Sequence, residues 1–94
     1  MPPLEIEVSA RFKSETRLLP EDQLDQLDQA LRSLPAALGQ PHRPGGLGIR
    51  RLRGSHFEFR MGRDKRVVFK LEGSTATLRM IGTHDDVRRF LKTL

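Results

Sequence analysis

This chain predicts an α+β fold: a single antiparallel sheet in the order β-α-α-β-β-β-β-α, with helices packed on one face. Three observations carry that expectation. Residues 49–82 run almost continuously as alternating apolar and polar positions, broken only by short glycine turns. Residues 21–34 instead repeat leucine at helical spacing, and residues 85–94 repeat Val87, Phe90, Leu91 and Leu94 in the same way. Between the two patterns lies a turn-dense stretch, PAALGQPHRPGGLG. With 94 residues and 36% hydrophobic content the chain can furnish one core and not two, so residues 1–94 read as a single domain.

The elements follow in order. Residues 4–8 form a first strand, Leu4, Ile6 and Val8 alternating with Glu5 and Glu7. Residues 10–19 form a short helix of weaker periodicity. Pro20, Glu21 and Asp22 open the next helix, because proline suits a first turn and carboxylates there meet the positive end of the helix dipole. Leu24, Leu27, Leu31 and Leu34 give it a buried stripe, and Pro35 is expected to stop or kink it. Residues 49–53 make a strand closed by Gly54. Phe57, Phe59 and Met61 alternate with His56, Glu58 and Arg60, and Val67, Phe69 and Leu71 face the same way on the next strand. Gly73-Ser74 is a two-residue hairpin turn. Ala76, Leu78 and Met80 then alternate with Thr77, Arg79 and Ile81 before a closing helix over residues 85–94. Three strands joined this tightly imply a meander with one apolar and one basic face.

Composition narrows the function. The chain has no cysteine and therefore no disulfide framework, no apolar run near the ~20 residues needed to span a bilayer, and no signal-peptide pattern. A cytoplasmic protein without membrane contact is the expectation. Charge is unevenly placed: residues 50–94 carry twelve Lys/Arg against five Asp/Glu, a net of +7, whereas residues 1–49 carry five against seven, a net of −2. A cationic face on a small sheet points to a polyanionic partner, RNA or an acidic protein segment.

Three stretches resemble the RelE/ParE superfamily of type II toxin–antitoxin toxins. PHRPGGLGIRRLRG (41–54) is similar to the family's proline-containing loop and basic strand. FEFRMGRDKRVVFKLEG (57–73) is like its aromatic-rich hairpin, and LRMIGTHDDVRRF (78–90) is like its last strand and the segment that follows. The resemblance implies a small toxin wrapped by a cognate antitoxin. Many members cleave mRNA in the ribosomal A site without metal or cofactor; the ParE branch inhibits DNA gyrase, and other relatives are inactive. The chain departs from the nuclease pattern in having no tyrosine and in placing Glu58 where lysine is common.

Metal-free RNA cleavage needs a base for the 2′-hydroxyl, cations for the charge developing on the phosphate, and an acid for the departing 5′-oxygen. Strand alternation lets Arg60, Arg66 and Arg79 share a polar face, and a guanidinium can hold two phosphate oxygens at once. By resemblance Arg60 and Arg66 fall where RelE-like nucleases place basic residues, and His84 where some carry a catalytic histidine. An imidazole can give or take a proton near neutrality. Thr83-His84-Asp85-Asp86 also reads as an ordinary helix start, with Thr83 or Asp85 as cap. Arg50, Arg51, Arg53, Lys65 and Arg79 are candidate RNA contacts, or solvated cations pairing with Glu58, Asp64 and Glu72. His56 reads as a surface histidine at a strand edge or an added member of the site. Glu58 could serve as a base or oppose an RNA backbone. His42 reads as a loop residue.

The leading expectation is thus an mRNA endoribonuclease toxin (ribosome-dependent, inhibiting translation) in which Arg60, Arg66 and His84 are catalytic. The alternative is a non-catalytic ParE-like gyrase inhibitor, or an inactive homologue that binds only its antitoxin.

Overall fold

In a computed structural model, residues 3–39 and 47–94 are described. The elements are β1 (Glu5–Val8), α1 (Ala10–Thr16), α2 (Glu21–Gly39), β2 (Arg50–Arg53), β3 (His56–Met61), β4 (Lys65–Glu72), β5 (Thr75–Gly82) and α3 (His84–Leu91). The order is the expected one. His42 and half of the turn-dense stretch, residues 40–46, lie outside the described residues.

Five strands form one sheet in the order β1-β5-β4-β3-β2. β2 to β5 make the expected antiparallel meander, but β1 lies parallel to β5, with Ile6 opposite Ala76 and Val8 opposite Leu78. The sheet is therefore mixed. Alternating side chains report which face a residue takes and carry no information about the direction of the neighbouring strand. β1 is also less buried than its pattern implies: Ile6 and Val8 remain 38% and 42% exposed at the sheet margin.

The main core fills one face of the sheet. Phe12 of α1 and Leu27, Ala30 and Leu34 of α2 pack on Phe59, Met61, Val67, Phe69, Ala76, Leu78 and Ile81. Phe69 stacks on Phe57 with centroids 5.7 Å apart, which ties β3 to β4. A second, smaller cluster joins Val68 and Met80 to Val87 and Phe90 of α3, with Leu52 and Leu91 at its margin. Val68 points away from Val67 and Phe69 along β4, so α3 lies against the face opposite α1 and α2.

Two local departures from the sequence pattern shape this arrangement. In β5 the register slips by one residue: Val68 pairs with Met80 but Phe69 pairs with Leu78, leaving Arg79 as the extra residue of a bulge. Leu78 and Met80, which strict alternation would place together, therefore enter different clusters, and Ile81 returns to the main core. The second departure is α2, which runs through Pro35 to Gly39 instead of ending there. A proline inside a helix costs about 3 kcal/mol. Leu34 is fully buried just before it and Leu38 packs on the core just after it, so tertiary burial offsets the loss. The turn at Gly73-Ser74 forms as expected, with Gly73 at φ +58°, a conformation open to glycine at no steric cost. Among the described residues no helix is long and apolar enough to cross a membrane.

Candidate functional site

Strand pairing arranges the polar face in rows. Arg60 of β3 stands directly opposite Arg66 of β4, and Arg66 stands opposite Gly82 of β5. The next row is Arg50, Glu58, Val68 and Met80, and beyond it lie His56, Lys70 and Thr77. Cross-strand partners project to the same side, so Arg60 and Arg66 share one face as the alternation predicted. His84 enters from the same end of the sheet, two residues after Gly82, as the exposed first residue of α3.

From that end α3 runs back along the face. Val87 sits over Val68 and Met80, Phe90 reaches His56, and the Leu91 carbonyl accepts a hydrogen bond from Arg53 Nη1 at 3.2 Å. The helix thus covers the His56 half of the face and has its N-terminus beside the arginine row. Thr83 and Asp86 fix that start through a capping box, each side chain accepting the other's backbone N–H. Hydrogen bonds from the Thr83 backbone and hydroxyl hold the Asp86 carboxyl below its ordinary pKa, with the neighbouring Arg89 acting in the same direction. Gly82 is required here: a Cβ at that position would meet Asp86 Oδ2 at 2.6 Å and Asp86 Cβ at 2.7 Å.

Glu58 occupies the middle of the site. It is 2% exposed, and its Oε1 lies 2.8 Å from Arg66 Nη1 and 2.9 Å from Arg50 Nη2. Its Oε2 is buried without a hydrogen-bond partner. A carboxylate in such surroundings stands between the sequence's two readings: it neither opposes a bound backbone from the surface nor reaches a substrate hydroxyl. It is the internal counter-ion of two arginines.

His56 is also buried, not at the surface. Only 8% exposed, it meets the Phe90 ring edge-on at a 6.0 Å centroid separation. Burial pushes its pKa below the ordinary value of 6.5, and the charges of Arg79 and Lys70 push it further. Its Nε2 has no partner. The surface reading fails because α3 closes over this end of the strand, a contact that β-alternation cannot reveal.

The remaining predicted cations are dispersed. Arg79 leaves the arginine row at the bulge and lies over Phe90, its Cζ 5.6 Å from the ring centroid. Arg51 Nε donates to the Gly54 carbonyl in the β2–β3 turn. Lys65 pairs with Met61 on the α1/α2 side, where it lines a cleft of about 380 Å³ with Glu15, Leu19, Ile81 and Asp86. Sequence reasoning missed Arg11, which crosses from α1 to place its Cζ 5.5 Å from the same Phe90 ring. The one signal for it was its helical spacing from Glu15, with which it forms an ion pair at 3.5 Å. Glu15 also accepts the Ile81 N–H, joining α1 to the end of β5.

No protein-family profile and no curated protein matches the sequence. Solved structures do share its fold. The E. coli DinJ–YafQ toxin–antitoxin complex contains a chain with a TM-score of 0.72 at 16% identity, covering 92% of this chain and 98% of that one. The RelB–RelE antitoxin–toxin complex from Methanococcus jannaschii gives 0.66 at 12%, covering 89% and 96%. A metal-bound toxin from Helicobacter pylori gives 0.69 at 24%, covering 89% and 98%. At these identities the likeness establishes the fold, that of RelE- and YafQ-type toxins, over nearly the whole chain.

Proposed function

We propose that this protein is the toxin of a toxin–antitoxin pair and acts as an mRNA endoribonuclease, cutting in the ribosomal A site without a metal. One observation carries the reading: the row Arg60–Arg66–Gly82, which sets two arginines directly opposite each other on neighbouring strands at the end that leads to His84. In this mechanism Arg60 and Arg66 hold the scissile phosphate and stabilise its developing charge. His84 transfers the proton between the 2′-hydroxyl, the leaving 5′-oxygen and solvent. The exposed Arg50 of β2 and Arg63, in the turn between β3 and β4, extend the electrostatic grip along the backbone, and binding weakens steeply with salt as phosphate contacts release counterions. A cognate antitoxin is the natural protein partner, because the YafQ and RelE chains of the same fold are found in complexes with DinJ and RelB.

A second reading has its own support. Glu58 already neutralises Arg66 and Arg50, which suits a relative that binds gyrase or an antitoxin and cleaves nothing. Inducing the wild type, Arg60→Ala and His84→Ala in cells and mapping mRNA 5′ ends separates the two. The nuclease reading requires codon-linked cuts that fall at least 10-fold in either variant. Growth arrest with DNA damage and intact messages would replace it with gyrase inhibition, and absence of any phenotype would leave an antitoxin-binding protein.

A further inference from the structure

We infer that Glu58 is the positioning residue of the arginine row: it grips Arg66 by one edge of its guanidinium and so aims the opposite edge outward beside Arg60. The use made of Arg66 rests on the nuclease reading above; the positioning itself does not.

The inference starts from an electrostatic conflict. Arg60 and Arg66 are directly opposed across an antiparallel pair, where like charges repel and long side chains swing apart. Left alone, two guanidiniums in that register would diverge into solvent. Glu58 stands two residues before Arg60 on β3, with its side chain 3% exposed, and takes Arg66 Nη1 at 2.8 Å. Arg66 is itself 21% exposed, so the rest of its guanidinium reaches the surface. The planar fork carries five N–H donors in fixed directions, and tethering one of them sets where the others point. Arg50 approaches the same oxygen from β2 with its side chain 63% exposed, adding a second cation on the solvent side.

The buried environment makes the tether selective. A carboxylate removed from water costs several kcal/mol unless cations answer it. Here both answering cations share Oε1 while Oε2 has no partner, so the group is held by its arginines alone. A residue serving only to fill space at this point would be apolar, as its cross-strand partner Val68 is. With Oε1 engaged twice and the residue 2% exposed, Glu58 does not touch substrate, and its effect on the reaction passes through Arg66.

Side-chain NMR of the intact protein tests this directly. In the wild type, Arg66 should give resolved, slowly rotating guanidinium Nη resonances, and in Glu58→Gln these should collapse to a motionally averaged signal. Arg50→Ala should leave them resolved. Cleavage of an RNA substrate should lose at least 10-fold in kcat in Glu58→Gln, while binding of a 2′-deoxy analogue is unchanged or tighter because one negative charge is gone. Arg66 resonances equally restrained in Glu58→Gln, or released as fully by Arg50→Ala, would overturn the inference, as would a loss confined to KM. If Glu58→Gln does not fold, the through-hydrogen-bond coupling between Arg66 Nη1 and the Glu58 carboxyl carbon in the wild type decides, its absence refuting the tether. A wild type that cleaves no RNA would sink the nuclease reading and leave the NMR result to judge Glu58 by itself.

Discussion

Phe90 is where the second cluster can be tested quantitatively. The ring is 4% exposed, and it is approached by Arg79 at 5.6 Å, Arg11 at 5.5 Å and the edge of His56 at 6.0 Å. Phe90→Leu keeps most of the apolar volume but removes the π face. A cation over an aromatic ring contributes about 0.5–1 kcal/mol when exposed and about 2 when desolvated. Arg11 is half in solvent, so its share is about 0.5 kcal/mol; Arg79 is more sheltered, and about 1 kcal/mol is expected. With a modest packing defect added, Phe90→Leu should cost about 2–3 kcal/mol, against about 3–5 for Phe90→Ala. The leucine variant is preferable, since the larger loss would consume much of the stability of a domain this size. Urea unfolding of Phe90→Leu, Arg79→Met and the double variant forms a mutant cycle whose coupling should be about 1 kcal/mol, with a smaller value for the Arg11→Met cycle. Coupling of zero in both cycles would mean that the rings and guanidiniums are merely adjacent, and that α3 is held by aliphatic burial alone.

Two further predictions concern stability. Because the folded-state pKa of His56 is lowered, the unfolded chain binds its proton first as pH falls. Stability should therefore decline on acidification from about pH 6.5 down to the lower folded-state value and be unaffected by this group above that window; His56→Leu should flatten that segment of the stability–pH curve, and an unchanged slope would exonerate His56. Pro35→Ala should restore the missing N–H to the interior of α2 at an exposed position and raise stability by about 1–2 kcal/mol, after allowance for the more flexible unfolded chain. A thermal midpoint equal to or below the wild type would show that α2 has already absorbed the proline without cost.

The order of the elements was legible because it depends on local periodicity. The hairpin at Gly73-Ser74, the Leu27, Leu31 and Leu34 stripe of α2 (Leu24, expected with them, stays 40% exposed) and the Thr83 cap were each written in a few neighbouring residues. What escaped the sequence was non-local. The parallel alignment of β1 depends on how the chain enters the edge of β5. The Arg79 bulge shifts two side chains between faces without any glycine or polar break to announce it. His56 and Glu58 looked like the polar half of an alternating strand, yet α3 and two arginines bury them. The candidate site was legible to the same extent. Arg60 and Arg66 are neighbours because their hairpin keeps an unbroken register, whereas Arg79 leaves the row because a bulge in the β4–β5 hairpin inserts it as an extra residue, which alternation alone does not announce.

These placements change what the charge asymmetry means. A net of +7 in residues 50–94 suggested a broadly cationic face. Much of that charge is committed within the fold. Arg53 and Arg51 donate to carbonyls at the end of α3 and in a turn, and Arg79 lies over Phe90. Lys70 pairs with Glu72, Arg89 with Asp86, and Arg50 and Arg66 with Glu58. Among the described residues of 50–94, Arg60, Arg63, Lys65, Arg88 and Lys92 form no ion pair; Arg60, Arg63 and Lys65 lie at or beside the β3–β4 turn near Arg66, whereas Arg88 and Lys92 belong to α3 and its C-terminal end. Three of these five cations lie at one end of the sheet, the end from which His84 projects, so the unpaired positive charge of the basic half is densest there. Salt then discriminates sharply. A phosphate backbone held across the whole basic half would lose contacts in proportion to all of its cations, whereas one gripped at this end should show a slope matching only the few charges clustered there.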